Sequence, residues 1–149
     1  MNASDIIEAA KARAAAKRLP YIGALTPSEA YSLLQQVPGA KLVDVRTRAE
    51  WDYVGRVPGA VQIEWQSYPT GQLNPDFMDQ LRAQTDPGAP VMFLCRSGAR
   101  SHAAASIAAD AGYDQAFNVL EGFEGDKDQN GHRNTVGGWC VAGLPWIQG

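Results

Sequence analysis

Short apolar runs alternate along this chain with segments of helical spacing, and the two kinds of segment predict different secondary structure. The apolar runs predict strands at residues 41–46, 57–63 (a turn and a strand), 91–95 and 116–120. The other segments predict helices at residues 5–18, 27–36, 75–84 and 104–111. Because strands that alternate with helices favour parallel pairing, the pattern predicts an α/β fold.

Capping residues refine the starts of the helices. Thr26 is followed three residues later by Glu29, and Thr47 by Glu50, so each pair predicts a capping box; the second opens a short helix. Asn74 is expected to cap the helix at 75–84.

Small side chains and glycines predict the remaining helix features. An expected stripe of small residues, which lets a helix lie close on the sheet, consists of Ala104, Ile107, Ala108 and Ala111, with Gly112 as its C-terminal cap. Residues 139–142 suggest a final helix that ends at Gly143.

Composition narrows the class of protein. The 149 residues fit one domain, and a net charge of -3 without a basic stripe argues against nucleic acid as the main partner. Two cysteines make no disulfide framework, and no run approaches the roughly 20 apolar residues of a membrane span. Residues 1–20 carry Asp5 and Glu8 and lack the apolar core of a secretory signal. We therefore expect a cytoplasmic protein that does not associate with membranes.

The most informative segment is the loop after the strand at 91–95, which ends on Cys95. A buried cysteine is usually a small hydrophobe, but Arg96 and Arg100 are poor neighbours for an inert thiol. The guanidinium groups and main-chain N–H groups should lower the thiol pKa below its reference of about 8.5, with Gly98 free to adopt a positive φ. Four residues separate Cys95 from Arg100, one fewer than in cysteine-type phosphatases. The loop around the thiol is therefore tighter and suits a single extra sulfur atom bound to Cys95.

Three motifs together resemble the rhodanese family of sulfurtransferases over about residues 25–147. The first is the loop sequence Cys-Arg-Ser-Gly-Ala-Arg-Ser at 95–101. The second motif lies upstream and consists of Asp44-Val45-Arg46, Glu50-Trp51, Gly55 and residues 57–60. The third lies near the C-terminus and consists of Gly138-Trp139 and residues 143–145.

The resemblance implies a fold and a chemistry. The fold is a five-stranded parallel sheet with helices on both faces, and it is assigned to a rhodanese-like domain at residues 25–149. Residues 1–24 lie outside the resemblance and are expected to form an N-terminal helical extension. Cys95 would take a sulfane sulfur from thiosulfate or a similar small anionic donor and pass it, as a persulfide, to cyanide or a thiol. The implied substrate-binding residues are Arg96, Ser97, Gly98, Ala99, Arg100 and Ser101. No metal or organic cofactor is implied.

Two other functions remain open. One is a persulfide carrier or regulatory module that exchanges sulfur with a protein partner. The other is a phosphatase or arsenate reductase, which the four-residue spacing disfavours.

Several residues outside the loop have two interpretations. One or both of Asp44 and Glu50 are expected to pair with a loop arginine, with ordinary solvated carboxylates as the alternative, and Arg46 is expected to join that network. His102, at a helix start, is interpreted as structural rather than catalytic, and His132 more so. Cys140 is interpreted as a packed residue, with a resolving thiol as the alternative.

A polar segment at residues 124–137 is the last feature of note. Residues 126–131 match the first half of a calcium-binding loop, but its twelfth position is Gly137 instead of glutamate. A flexible polar insertion is therefore preferred over a calcium site.

Overall fold

One parallel sheet of five strands organises the protein, which a computed structural model describes for residues 2–148. The strands are β1 (Gly23–Leu25), β2 (Lys41–Asp44), β3 (Val61–Gln62), β4 (Val91–Leu94) and β5 (Ala116–Val119). Their spatial order is β1-β5-β4-β2-β3, and every neighbouring pair is parallel. This confirms the expected five-stranded parallel sheet and places β4 at its centre.

Five helices cover both faces of the sheet. They are α1 (Ala3–Ala16), α2 (Pro27–Gln36), α3 (Arg48–Tyr53), α4 (Phe77–Gln84) and α5 (Ala99–Asp110). Buried side chains of α1 and α2 belong to one core cluster, and those of α4 and α5 to the other. None of the helices within residues 2–148 has the length and apolar character needed to cross a bilayer.

Alternation along β4 sends its side chains to the two clusters in turn. Val91, Phe93 and Cys95 pack with α4 and α5, whereas Met92 and Leu94 pack with α1 and α2. Cys95 therefore comes directly after the central strand, at the carboxyl edge of the sheet, where open α/β folds bind their ligands.

The N-terminal helix α1 is part of this arrangement. Ile6 and Ala10 are buried in the cluster shared with α2. Arg13 donates to both carboxylate oxygens of Glu29 on α2, at 2.6 and 2.8 Å, and to the carbonyl of Ala24 in β1 at 2.8 Å. α1 thus holds the edge strand β1 and α2 together.

Both predicted capping boxes are confirmed. The hydroxyl oxygens of Thr26 and Thr47 accept from the N–H groups of Glu29 and Glu50, and each glutamate accepts in return from the threonine N–H. Gly112, with φ of +102°, follows the end of α5 as expected.

Other local predictions are wrong. The predicted helix at 139–142 is a single turn, because Gly138 and Gly143 both have positive φ values and end it on either side. Asn74 accepts from the N–H of Asp76 in a turn before α4 and does not occupy the N-cap position. β1 was not predicted, since three residues carry too little pattern.

The buried face of α5 also differs from the predicted stripe. Ser101, Ala104, Ala105 and Ala108 are buried, whereas Ile107 and Ala111 are exposed. The buried face begins nearer the start of the helix than predicted, because the Ser101 side chain packs against the Cys95 sulfur.

A fully buried ion pair closes the end of β2. Asp44 and Arg46 have side chains with 0% exposure, and Arg46 Nη2 lies 2.8 Å from Asp44 Oδ2 and 2.7 Å from the Gly55 carbonyl oxygen. The guanidinium carbon also lies 4.2 Å from the centre of the Phe123 ring.

Removing one charge of this pair tests its structural importance. Asp44→Asn keeps the side-chain size but leaves the Arg46 charge buried without its partner, so we expect the free energy of unfolding to fall by about 3–5 kcal/mol. Urea denaturation measures it. Asp52→Asn is the matched control, because it breaks an exposed pair with Arg48 and should change stability little. Equal losses in the two variants would contradict the prediction.

Candidate active site

The Cys95 thiol lies beneath its loop, with 1% of the residue exposed. Sγ accepts a hydrogen bond from the Gly98 N–H at 3.1 Å and lies 3.3 Å from Ser101 Oγ. Gly98 has φ of +112°, which confirms the expected positive φ, and a side chain there would be strained. Within residues 2–148, only the Gly98 N–H donates to this sulfur from the main chain, whereas several converging main-chain N–H groups were expected.

A chain of polar groups continues from the thiol toward the surface. The Ser101 hydroxyl donates to Asn118 Oδ1, and Asn118 Nδ2 donates to the Gly98 carbonyl and to Tyr21 Oη, both at 3.3 Å. Tyr21 Oη lies 2.8 Å from His102 Nδ1. The bond to the Gly98 carbonyl fixes the amide orientation and thereby aims the Asn118 oxygen at Ser101. His102 is therefore linked to the site through other side chains.

Glu50 holds the loop arginine Arg100. Nη1 and Nη2 of Arg100 donate to the two carboxylate oxygens of Glu50 at 2.7 and 3.0 Å. This confirms that an upstream carboxylate pairs with a loop arginine, and Glu50 does so from the first turn of α3. Asp44, the other candidate, binds Arg46 instead.

The pair shifts the pKa of both partners. Burial alone would raise the pKa of Glu50, but the Arg100 hydrogen bonds and charge outweigh it and hold the pKa below its usual value. Burial would lower the pKa of Arg100, yet Glu50, assisted by the charges of Cys95 and Asp44, raises it. Arg100 is therefore a cation that Glu50 holds in place.

A close main-chain contact positions the start of the loop. The N–H of Phe123 donates to the Cys95 carbonyl at 2.8 Å, and the N–H groups of Glu124 and Gly125 donate to the Arg96 carbonyl at 3.0 and 3.2 Å. A Cβ on Gly122 would lie 2.5 Å from the Arg96 carbonyl, so only glycine permits this approach. The polar insertion therefore begins directly on the loop.

A cavity of about 610 Å³ adjoins the loop. It is lined by Arg96 and Arg100, by residues of α3 and its two ends, and by residues 66–69 and 71. The polar insertion supplies Glu124 and Arg133, so it borders the cavity. Cys95 is not itself on the cavity wall, since its sulfur lies below the loop.

The second cysteine, Cys140, has a different environment. Burial raises the pKa of its thiol to about 11, against the lowering effect of the Arg46 charge. It packs at the edge of the cluster formed by α1 and α2. A thiol that resists ionisation is a poor resolving group.

The predicted calcium half-site forms a turn. Asp128 Oδ1 accepts from the N–H groups of Asn130 and His132, which uses the carboxylate within the loop. Across the described residues, no three His, Cys, Asp or Glu side chains converge as a metal site.

Sequence reasoning missed Tyr21, Asn118 and Arg133. Asn118 carried a usable signal, since a polar residue within an apolar strand needs buried partners. Tyr21 meets His102 and Asn118 across 81 and 97 residues of sequence, and Arg133 lies in an irregular segment, so neither had a local signal.

Glu50→Gln tests the ion pair with little disturbance, because glutamine also completes a capping box. At pH 7 we expect a loss of about 1.5–3 kcal/mol in the free energy of unfolding, since the Arg100 charge loses its partner. Because the folded-state pKa of Glu50 is lowered, its stabilisation is present above the unfolded pKa of about 4.3 and disappears as pH falls through the folded value. Denaturation curves from pH 7 to 3 measure this. A difference that stays constant throughout would contradict it.

Thiol labelling tests the environment of Cys140. In the Cys95→Ser variant, iodoacetamide at pH 8 should label folded protein on the order of a hundredfold more slowly than denatured protein, because the thiolate is the reactive form. Mass spectrometry follows the adduct. Comparable rates for the two states would show that this thiol ionises readily.

Known proteins resemble the chain in both sequence and fold. The crystal structure of Rv0390 from M. tuberculosis matches with a TM-score of 0.80 and 45% identity, covering 87% of this chain and 99% of that one. The uncharacterized protein RP600 homolog of Rickettsia rickettsii is 37% identical over 121 residues, which is 80% of this chain and 92% of the relative.

A relative with a named activity is more distant. The thiosulfate sulfurtransferase GlpE of Actinobacillus succinogenes is 32% identical over 121 residues, covering 81% of this chain and 86% of the relative. The rhodanese-like domain family matches residues 26–129, a range that contains the Cys95 loop, Glu50 and the Gly122 contact. The chain therefore belongs to the rhodanese-like domain family.

Proposed function

We propose that this protein is a sulfurtransferase that moves a sulfane sulfur from thiosulfate, or a similar donor, to cyanide or a thiol through a persulfide on Cys95. The observation that carries the proposal is the environment of the sulfur, which accepts the Gly98 N–H in a loop whose Arg100 is held in place by Glu50. The similarity to GlpE, named as a thiosulfate sulfurtransferase, supports the same substrate class.

The proposed reaction has two displacement steps. The Cys95 thiolate attacks the outer sulfur of thiosulfate; a Cys–S–S bond forms, the sulfur–sulfur bond of thiosulfate breaks, and sulfite leaves with the electron pair. Cyanide or a thiolate then attacks the terminal persulfide sulfur, giving thiocyanate or a new persulfide, and the Cys95 thiolate is restored.

The residues around the sulfur have distinct proposed roles. Gly98 donates to Sγ, and the N–H groups of residues 96–101 stabilise the anionic terminal sulfur. Arg96 is exposed and attracts the anionic donor, while Arg100, held by Glu50, supplies a preorganised positive charge.

Intact-mass analysis after incubation with thiosulfate tests the proposal. The wild type should gain the mass of one sulfur atom, lose it to cyanide or a reducing agent, and release thiocyanate in repeated turnover. Cys95→Ser should gain nothing, and Cys140→Ser, the matched control, should behave as the wild type. An unmodified wild type would overturn the proposal.

The same samples separate the two alternatives. A persulfide carrier should load once from a persulfide-bearing protein yet turn over thiosulfate poorly. A phosphatase should hydrolyse an aryl phosphate, and such hydrolysis without sulfur transfer would replace the proposed reaction.

A further inference from the structure

The cavity beside the Cys95 loop has more room than thiosulfate fills, and charged residues line it. Its volume of about 610 Å³ lies within the range of roughly 300–1,000 Å³ that drug-sized ligands occupy, whereas thiosulfate is a small tetrahedral anion. We propose that Arg133 is a specificity-determining residue that recognises the carboxylate of a low-mass thiol acceptor. The inference rests on the proposed sulfur transfer and extends it to the class of acceptor.

The main chain places Arg133 next to the loop. Arg133 Nη1 donates to the Gly125 carbonyl oxygen at 2.7 Å, and the Gly125 N–H donates to the Arg96 carbonyl oxygen at 3.2 Å. Only one residue, Gly125, therefore links the guanidinium to the catalytic loop. Arg133 also lies beyond residues 26–129, so the family match does not account for it.

The two arginines Arg100 and Arg133 on the cavity wall differ in whether a carboxylate of the protein already neutralises them. Arg100 has both terminal nitrogens on Glu50. Arg133 forms one hydrogen bond to a neutral carbonyl and no ion pair within the described chain, so most of its donors remain available. Since it is only partly buried, an incoming carboxylate can reach it.

Glu124, from the same insertion, opposes this effect. Its carboxylate has no hydrogen-bond partner among residues 2–148, and it lines the same cavity. A negative charge at this place repels a carboxylate-bearing acceptor, whereas Arg133 attracts it. Removing the charge of Glu124 and removing that of Arg133 should therefore have opposite effects on the use of a carboxylate-bearing acceptor.

The test compares a carboxylate-bearing thiol, 3-mercaptopropionate, with the neutral 2-mercaptoethanol as acceptors, at saturating thiosulfate. The ratio of their kcat/KM values is compared between variants, so that the intrinsic reactivity of each thiol cancels. Arg133→Gln should lower the ratio about three- to fivefold, and Glu124→Gln should raise it about twofold, as expected for partly exposed charges. Arg133→Lys should retain most of the wild-type ratio.

Lys127→Gln is the matched control. It removes one positive charge from the same insertion, but Lys127 is exposed and does not line the cavity, so the ratio should not change. Raising the ionic strength should reduce the preference of the wild type.

The results distinguish a failure of this inference from a failure of the proposed function. If Arg133→Gln lowers kcat/KM equally for both thiols, the ratio does not change and Arg133 has a structural role only. The same conclusion follows if Arg133→Gln changes the ratio no more than Lys127→Gln does. If the wild type forms no Cys95 persulfide by mass, the sulfur-transfer proposal fails, and this inference fails with it. Persulfide formation with an unchanged ratio refutes the role of Arg133 alone.

Discussion

The main-chain contact between the end of β4 and residues 122–125 is the constraint on which the site depends. Gly122 lets the two backbones meet, and the carbonyl oxygens of Cys95 and Arg96 are then satisfied by N–H groups of the next segment. The same approach brings Phe123 over the Arg46 guanidinium. One position without a side chain thus joins the loop, the insertion and the buried ion pair.

Charge is distributed around this contact in two ways. Arg46 and Arg100 are each bound by a carboxylate, Asp44 and Glu50, and so serve as fixed parts of the architecture. Arg96 and Arg133 form no ion pair within the described chain and lie at the wall of the cavity. The fixed pairs hold their own side chains in place, so the other two cations are the ones to which the proposed anionic donor and acceptor would bind.

Local sequence signals predicted the parts of the structure that depend on neighbouring residues. Both capping boxes, Gly98 and the Cys95 loop follow from residues a few positions apart. A pairing of Asp44, Glu50 or both with a loop arginine was also predicted, and in the structure Glu50 forms it. β1 and the Asn118 network were missed, since pairing with β5 and contact with Tyr21 depend on residues far apart in sequence.

The pairing of β1 with β5 has a consequence for any shortened form of the chain. β1 is one of the two edge strands, and its residues 23–25 pair with residues 117–119 of β5 while α1 covers them. A fragment that starts at residue 25 lacks two of the three paired residues and the helix above them. The main-chain groups of β5 and the ring of Phe117 would then face water. An exposed edge strand with unpaired N–H and C=O groups promotes self-association.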